Sequence, residues 1–225
     1  MLSPALVDTG SAGGQPTARS GRLPSCWPAS AADRREAVRR LTLAATGFLP
    51  VTLIAATAFG ADLRTLAVGV LVPAVAMQLA LDRHQRIVPV ASVMVAGIVA
   101  TAAYDLFRWS FLLTGLMHGD PIPHIGVALH LRPAAPVGYL WRYAGNGAGL
   151  AVAFATLGLR GLRAGIAFGL FVCTGLLVTL VVSPFGQQML FPLTAPTVVM
   201  TVGGHTIFGA VLGRLSEKSW RRQTT

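Results

Sequence analysis

Long apolar runs separated by short polar stretches dominate the chain. Six such runs lie near residues 41–61, 65–81, 87–104, 137–159, 164–182 and 193–213. Each is close to the roughly 20 residues with which an α-helix crosses the hydrocarbon core of a bilayer. Because backbone polar groups in lipid must be satisfied within their own segment, runs of this length are expected to be helices and not strands. The pattern therefore predicts an all-α integral membrane helical bundle with about six transmembrane helices.

The segments outside these runs define the domain organisation. Residues 1–29 are rich in Ser, Gly, Pro and Ala and show no apolar periodicity, which is typical of a disordered tail. The stretch "ADRREAVRR" predicts a short helical lead-in. We therefore divide the chain into a basic cytoplasmic tail (1–40), a single transmembrane domain (41–217) and a second cytoplasmic tail (218–225). The third run could also extend to residue 117, either as a continued helix or along the membrane interface.

A secretory signal peptide is the alternative interpretation of the first run. "RREAVRR", the apolar residues after it and the small-residue site at Ala56 and Ala58 resemble a signal peptide with its cleavage site. The long tail before the basic residues and the second span directly after the run favour an uncleaved membrane helix instead.

Charge changes this picture in two ways. Only 12% of residues are charged and 53% are apolar, whereas a soluble domain carries about a quarter charged residues. The basic residues responsible for the net charge of +10 lie mostly between and outside the apolar runs. This distribution does not predict the exposed basic face of a nucleic-acid-binding protein. With a cytoplasmic N-terminus, fourteen basic residues fall on the inner side and four on the outer side, as the positive-inside rule requires. Both termini are therefore predicted to be cytoplasmic.

A few polar residues lie within or next to the spans, where burial is costly and usually has a purpose. Asp105 and Arg108 are three apart and can pair on a helix, while Arg142 is one turn from Asn146. With His205 they form a candidate polar cluster open to the outer side, with His205 titrating near neutral pH and Asp105 as its counter-charge or proton acceptor. In the alternative interpretation, Asp105–Arg108 is a structural ion pair and Asn146 hydrogen-bonds His205 to hold two helices together.

The outer segment "HGDPIPHIGVALH" contains three histidines but offers them no metal-binding spacing. Asp120 followed by Pro121 predicts a capped helix over about 121–131, and aromatic residues on either side suggest an interfacial belt. His124 and His130 are six apart and point to different faces of such a helix. Cys26 and Cys173 form no ligand motif either. The sequence therefore predicts no metal site and no cofactor.

Glycines recur at four-residue spacing in three of the runs. Such spacing lets a neighbouring backbone approach closely, and it predicts helix packing within the chain or in a homo-oligomer. The glycines concerned are Gly145, Gly149, Gly161, Gly165, Gly169, Gly209 and Gly213.

Residues 104–217 resemble the YagU-like family of small multi-span bacterial inner-membrane proteins. The resemblance rests on "DPIPHIG", "GYLWRYAGNGAGLAVAF", "LRGLRAG", "VSPFG" and "GGHTIFGAVLGRL", in that order. His205 matches the closing histidine of the pattern, whereas Asn146 stands where the family often has a second histidine. The family has no assigned activity, so the resemblance implies a location in the bacterial inner membrane and little about chemistry.

Three classes of function remain open. The first is a small transport or permeation protein with its site at the polar cluster. The second is a structural or accessory membrane protein, and the third is a membrane enzyme acting on a lipid or prenyl substrate. The enzyme is the weakest of the three, because the sequence contains no HExxH motif, no paired acidic motif and no recognisable nucleophile arrangement. The lipid bilayer is the one partner that the pattern itself implies.

Overall fold

A computed structural model describes residues 31–76 and 90–221, and every regular element in these ranges is helical. The long elements are α1 (Ala31–Ala58), α2 (Leu63–Ala76), α3 (Val90–Leu113), α5 (residues 134–156), α6 (Gly161–Val182) and α8 (Ala195–Arg221). Two short helices, α4 (Ile122–Ala128) and α7 (Gly186–Met189), lie in the connections. Helix α5 joins Ala134–Leu140, a π-helical segment Trp141–Gly147, and Ala148–Thr156.

Four of these helices have the length and apolar composition to cross a membrane, namely α1, α3, α6 and α8. This confirms the predicted all-α class for the described residues, and the four apolar helices fit a membrane protein. The predicted tail (1–29), the turn at 82–86, the end of the second run (77–81), the start of the third (87–89) and the last residues (222–225) lie outside the described part of the chain.

Several helices extend beyond the apolar runs from which they were predicted. The lead-in and the first run form one continuous helix, α1, and α8 continues past the predicted end at 213 to Arg221. The third run continues as a helix to Leu113, which settles that open alternative up to that residue. Hydropathy marks only the lipid-crossing part of a helix, so polar end turns escape it.

The predicted helix over 121–131 is shorter than expected. It spans Ile122–Ala128, and the chain turns at His130, whose φ of 56° lies in the left-handed region. A non-glycine residue in that region ends an α-helix. Pro121 and not Asp120 occupies the N-cap position, but the Asp120 carboxylate accepts the backbone N–H of Ile122, the first helical residue, at 3.0 Å.

The helix ends form two groups at opposite ends of the bundle. At one end the Phe185 N–H donates to the Ala58 carbonyl at 3.1 Å, and the His124 ring donates to the Met189 carbonyl at 3.1 Å. At the other end the turn at Gly161 lies beside the Glu217 side chain. The ends of α1 and α6 are thus joined to α7 at one end of the bundle, and α7 is joined to α4.

Close contact between α6 and α8 depends on glycine. A Cβ at Gly165 would clash with the carbonyl oxygen of Gly209 and would lie 2.8 Å from the Cα of Gly213. A Cβ at Gly169 would clash with the His205 carbonyl in the same way. Backbone therefore meets backbone along this interface, and these glycine faces pack within the chain itself.

Helix α5 makes two further contacts of the same kind. Gly149 lies against Gly47 of α1, and Gly147 lies against Gly97 and the Thr101 hydroxyl of α3. Neither Gly47 nor Gly97 has another glycine four residues away, so neither shows the spacing that marks a packing face. Spacing therefore missed them, although they bring α1 and α3 onto α5.

We expect Gly165→Leu to weaken the α6–α8 contact, because the atoms that a side chain would meet belong to the backbone and cannot rotate away. Overpacking of this kind costs about 1–3 kcal/mol of the free energy of unfolding. Gly69→Leu is the matched control, since a Cβ at Gly69 has no atom within 4 Å. Thermal unfolding in detergent micelles should show a lower midpoint for the first variant only; equal midpoints would contradict the packing argument.

Candidate functional site

A buried carboxylate binds two arginines from different helices. Asp105 of α3 is 2% exposed; its Oδ1 accepts the Arg108 Nε–H at 3.1 Å. Arg142 of α5 places its Nε 2.8 and 2.9 Å from the two oxygens of Asp105, and its Nη2 also donates there. The contact therefore links α3 to α5. The proximity of Asp105 and Arg108 followed from their spacing, but Arg142 is brought there by the fold.

Arg108 extends this network to the connection before α4. Its Nη1 donates to Asp120 at 2.6 Å and its Nη2 to the Tyr139 hydroxyl at 3.2 Å. The same hydroxyl donates to the second oxygen of Asp120 at 2.6 Å. Partial burial would raise the pKa of Asp120, but the hydrogen bonds from Tyr139 and Ile122 and the charge of Arg108 hold that pKa below its usual value. Asp120 therefore binds the first backbone N–H of α4 and at the same time links this helix to Arg108 and Tyr139.

Helix α5 contributes Arg142 and Asn146 from its π-helical segment. π-helical turns are rare and occur frequently at functional sites. The Asn146 amide makes no hydrogen bond to any described residue, and its Oδ1 is completely buried without a partner. An unsatisfied buried amide is unusual in a folded protein, which marks this position as a candidate for ligand contact.

His205 of α8 is the remaining member of the polar cluster. Its Nδ1 lies 2.8 Å from the Thr201 carbonyl, and its ring meets the Tyr104 ring edge-on with the centroids 5.1 Å apart. The guanidinium of Arg142 lies 4.7 Å above the same tyrosine ring. Tyr104 thus lies between Arg142 and His205, and a cation–π contact and an edge-on ring contact connect the ion-pair network to α8.

These contacts correct two predictions about His205. The alternative interpretation expected a hydrogen bond between Asn146 and His205, but the His205 ring bonds the Thr201 carbonyl of its own helix. The functional interpretation expected Asp105 to be the counter-charge of His205, but the carboxylate of Asp105 is engaged by Arg108 and Arg142. Both errors have one cause. The sequence shows which residues are polar, but it does not show which hydrogen-bonding partners lie next to them in the folded chain.

A cavity of about 520 Å³ lies beside these residues. One side of it, which we call the polar wall, is formed by Arg108, Arg142, Asn146 and His205, while its other walls are mainly apolar. This volume is within the range of roughly 300–1,000 Å³ of small-molecule sites. Four of the five residues of the predicted cluster thus line one cavity, and the fifth, Asp105, pairs with two of them.

The lining of the cavity reaches the outer surface along α1 and α6, which places its opening between these two helices. Several of its lining residues are also exposed on the outer surface of the bundle; Phe171 is 66% and Val178 is 52% exposed. Thr52 of α1 and Gly175 of α6 lie on the two sides of this opening and are exposed as well. Because α1 and α6 are both candidate membrane spans, the opening lies on a surface that would face lipid.

Helix α4 covers one end of the cavity, where Pro121, Ile122 and Ile125 form part of its lining. The outer segment is therefore part of the cavity wall. Its histidines do not converge: His124 binds the Met189 carbonyl, and His130 occupies the turn after α4. Among the described residues, no group of three or more His, Cys, Asp or Glu side chains is placed to hold a metal ion.

Sequence reasoning assigned no role in the site to Tyr104 and Tyr139. Both belong to the aromatic residues on either side of the outer segment "HGDPIPHIGVALH". These residues suggest an interfacial belt, which would explain their presence without any specific contact. The Tyr139 hydroxyl and the Tyr104 ring make their contacts only when α3 and α5 come together. The spacing of residues along the chain does not predict such contacts.

Searches among known protein families, curated proteins and solved structures find no match to this chain. The site must therefore be interpreted from its own chemistry, and the resemblance to the YagU-like family remains a prediction.

Asp105→Asn should strongly destabilise the protein, because it leaves two buried guanidinium groups with one carboxylate fewer. Breaking a buried ion pair by removing one partner costs about 3–5 kcal/mol. Tyr139→Phe, which removes one hydroxyl from the same network, should cost about 1 kcal/mol. Unfolding in detergent measures both free energies. A loss for Asp105→Asn no larger than that for Tyr139→Phe would contradict the central role of the ion pair.

Proposed function

We propose that this chain is a small transport protein that binds an amphipathic molecule in the cavity beside Arg142, Asn146 and His205 and passes it through the membrane. The observation that carries the proposal is the cavity itself, with its volume of about 520 Å³, its apolar walls and one polar boundary. A cavity with convergent polar groups is the usual form of a small-molecule site.

The sideways opening supports transport of a molecule that is dissolved in the membrane. Residues that both line the cavity and face outward belong to α1 and α6, the two helices on either side of the opening. An alkyl chain can enter there without meeting water, while its polar head reaches the α5 and α8 side of the cavity. Such a path avoids the cost of moving a polar head unpaired through hydrocarbon.

A structural or accessory role is the second candidate, and one observation favours it. All three side-chain nitrogens of Arg108 are hydrogen-bonded within the protein, to Asp105, Asp120 and Tyr139. An arginine with all three nitrogens hydrogen-bonded and only 2% of its surface exposed holds elements together and presents little of itself to a ligand. This part of the cluster serves the scaffold in either case, so the two candidates differ only in the use of the cavity.

Filling the cavity separates them. A Cβ at Gly175 has no atom within 4 Å, so Gly175→Leu can be accommodated while its side chain obstructs the opening. In proteoliposomes containing octyl glucoside, octyl sulfate or octyltrimethylammonium as labelled probes, we expect at least one probe to cross faster through the unmodified protein than through Gly175→Leu.

The control is Gly69→Leu, which also places a leucine at an open, exposed helical position but lies away from the cavity. It should retain the flux of the unmodified protein. If no probe crosses faster with the unmodified protein than with Gly175→Leu, the transport proposal is wrong and the accessory role is favoured.

We also propose six spans in a bacterial inner membrane, with both termini in the cytoplasm. Helix α5 matches the four candidate spans in length, and α2 is an apolar helix whose predicted run extends beyond the described residues. The two groups of helix ends support alternating spans, and the excess of basic residues on one side supports the orientation. The predicted resemblance to a bacterial inner-membrane family is in keeping with this location.

A reporter inserted after Gly119 tests this topology. A Cβ at Gly119 has no atom within 4 Å, so the connection has room there. The inserted reporter should be active on the outer side of the membrane, whereas reporters fused after Thr156 and after the last residue should be active in the cytoplasm. A cytoplasmic signal at Gly119 would contradict the six-span arrangement.

A further inference from the structure

We propose that the cavity selects an amphiphile whose head is uncharged and carries a hydroxyl group, in preference to an anionic or cationic head. The inference rests on the proposed function and names the class of molecule that the same site would take. It follows from which hydrogen-bonding groups on the cavity wall are already engaged, and from the sum of the charges around it.

The charges around the polar wall cancel. Asp105 and Asp120 carry two negative charges and Arg108 and Arg142 carry two positive ones, and each aspartate contacts an arginine within the network. A sulfate, carboxylate or ammonium head would add a charge with no counter-charge beside it in an apolar cavity. Such a charge is costly to bury, so an uncharged head is favoured.

Three groups on the wall remain to bind that head. Arg142 donates from Nε and Nη2 to Asp105, which leaves its Nη1 without a partner among the described residues. The Asn146 amide has no partner either, and it can turn to present a donor or an acceptor. His205 provides the third group, and the bond to Thr201 determines its character.

A carbonyl oxygen can only accept, so the His205 Nδ1 must carry the hydrogen in its bond to Thr201. In the uncharged ring, Nε2 is therefore an acceptor. The wall thus offers a donor at Arg142, an acceptor at His205 and an adaptable amide at Asn146, all lining one cavity. A hydroxyl both donates and accepts, and can satisfy both kinds of partner at once. A sulfate only accepts, and a trimethylammonium does neither.

The other cavity-lining hydroxyls in the described spans already donate to partners within the protein. The Tyr104 hydroxyl donates to the Met200 sulfur at 3.8 Å. The hydroxyls of Thr52, Thr174 and Thr179 each donate to a carbonyl of their own helix at 2.8–2.9 Å. The Thr101 hydroxyl does the same towards Gly97. Selectivity for the head therefore depends on the α5 and α8 wall, while the α1 and α6 sides receive the alkyl chain.

The experiment compares the flux of octyl glucoside, octyl sulfate and octyltrimethylammonium into proteoliposomes, after subtraction of the flux into protein-free liposomes. These probes share one chain and differ in the head. Octyl glucoside should cross more than about tenfold faster than either charged probe. A charged probe that crosses fastest, or equal rates for all three, would overturn the inference while transport itself stands. Loss of any difference from Gly175→Leu would instead overturn the proposed function.

Two variants test the residues. Asn146→Leu removes the amide, and His205→Phe keeps an aromatic edge against Tyr104 while it removes Nε2. Each should slow octyl glucoside by roughly two- to tenfold, the worth of one hydrogen bond, and should leave the charged probes unchanged. Thr174→Val is the control, because it removes a cavity-lining hydroxyl that is already engaged, and it should change nothing. Unchanged octyl glucoside flux in both test variants would overturn the assignment of head-group binding to Asn146 and His205. If a variant fails to fold, the order of the three probes in the unmodified protein still tests the selectivity.

Discussion

The ion pairs of Asp105 with Arg108 and Arg142 are the constraint on which the rest of the structure depends. A carboxylate buried within an apolar helix is tolerated only when it is paired and hydrogen-bonded. Asp105 meets that condition only if α5 brings Arg142 to it, and Arg108 meets it only if the connection after α3 brings Asp120. The relative positions of α3, α4 and α5 are thus determined together by one group of four charges.

Glycine makes this arrangement sterically possible. Gly97 of α3 touches the backbone of α5 at Gly147, in the same π-helical segment that carries Arg142. A side chain at either position would hold the two helices apart and lengthen the ion-pair contacts. Hydrophobic burial cannot draw helices together in lipid, which is as apolar as leucine. Close backbone contact and buried polar pairing are the forces that remain, and both act at the α3–α5 contact.

The sequence predicted the class of fold and the polar residues of the site, but not their partners. Hydropathy locates the apolar runs because a membrane span must be apolar along its length, and the rarity of polar residues in such runs singles out Asp105, Asn146 and His205. The pairing of Arg142 with Asp105 joins residues 37 positions apart, and no periodicity encodes a contact at that separation. The π-helical segment, the early end of α4 at His130 and the roles of Tyr104 and Tyr139 likewise arise from tertiary contacts.

A division of labour within the polar cluster follows from the same contacts. All three side-chain nitrogens of Arg108 and both carboxylate oxygens of Asp105 are hydrogen-bonded within the protein, so these two residues act as scaffold. A ligand that displaced them would have to break the network that positions α3 and α5. Arg142 belongs to both parts, because two of its nitrogens hold Asp105 while the third remains without a partner among the described residues. Asn146 and His205 keep groups that no described side chain uses. From the sequence, the five polar residues are equivalent candidates for one site. In the folded chain, Asp105 and Arg108 hold the helices in place, whereas Arg142, Asn146 and His205 have hydrogen-bonding groups that can face a ligand in the cavity.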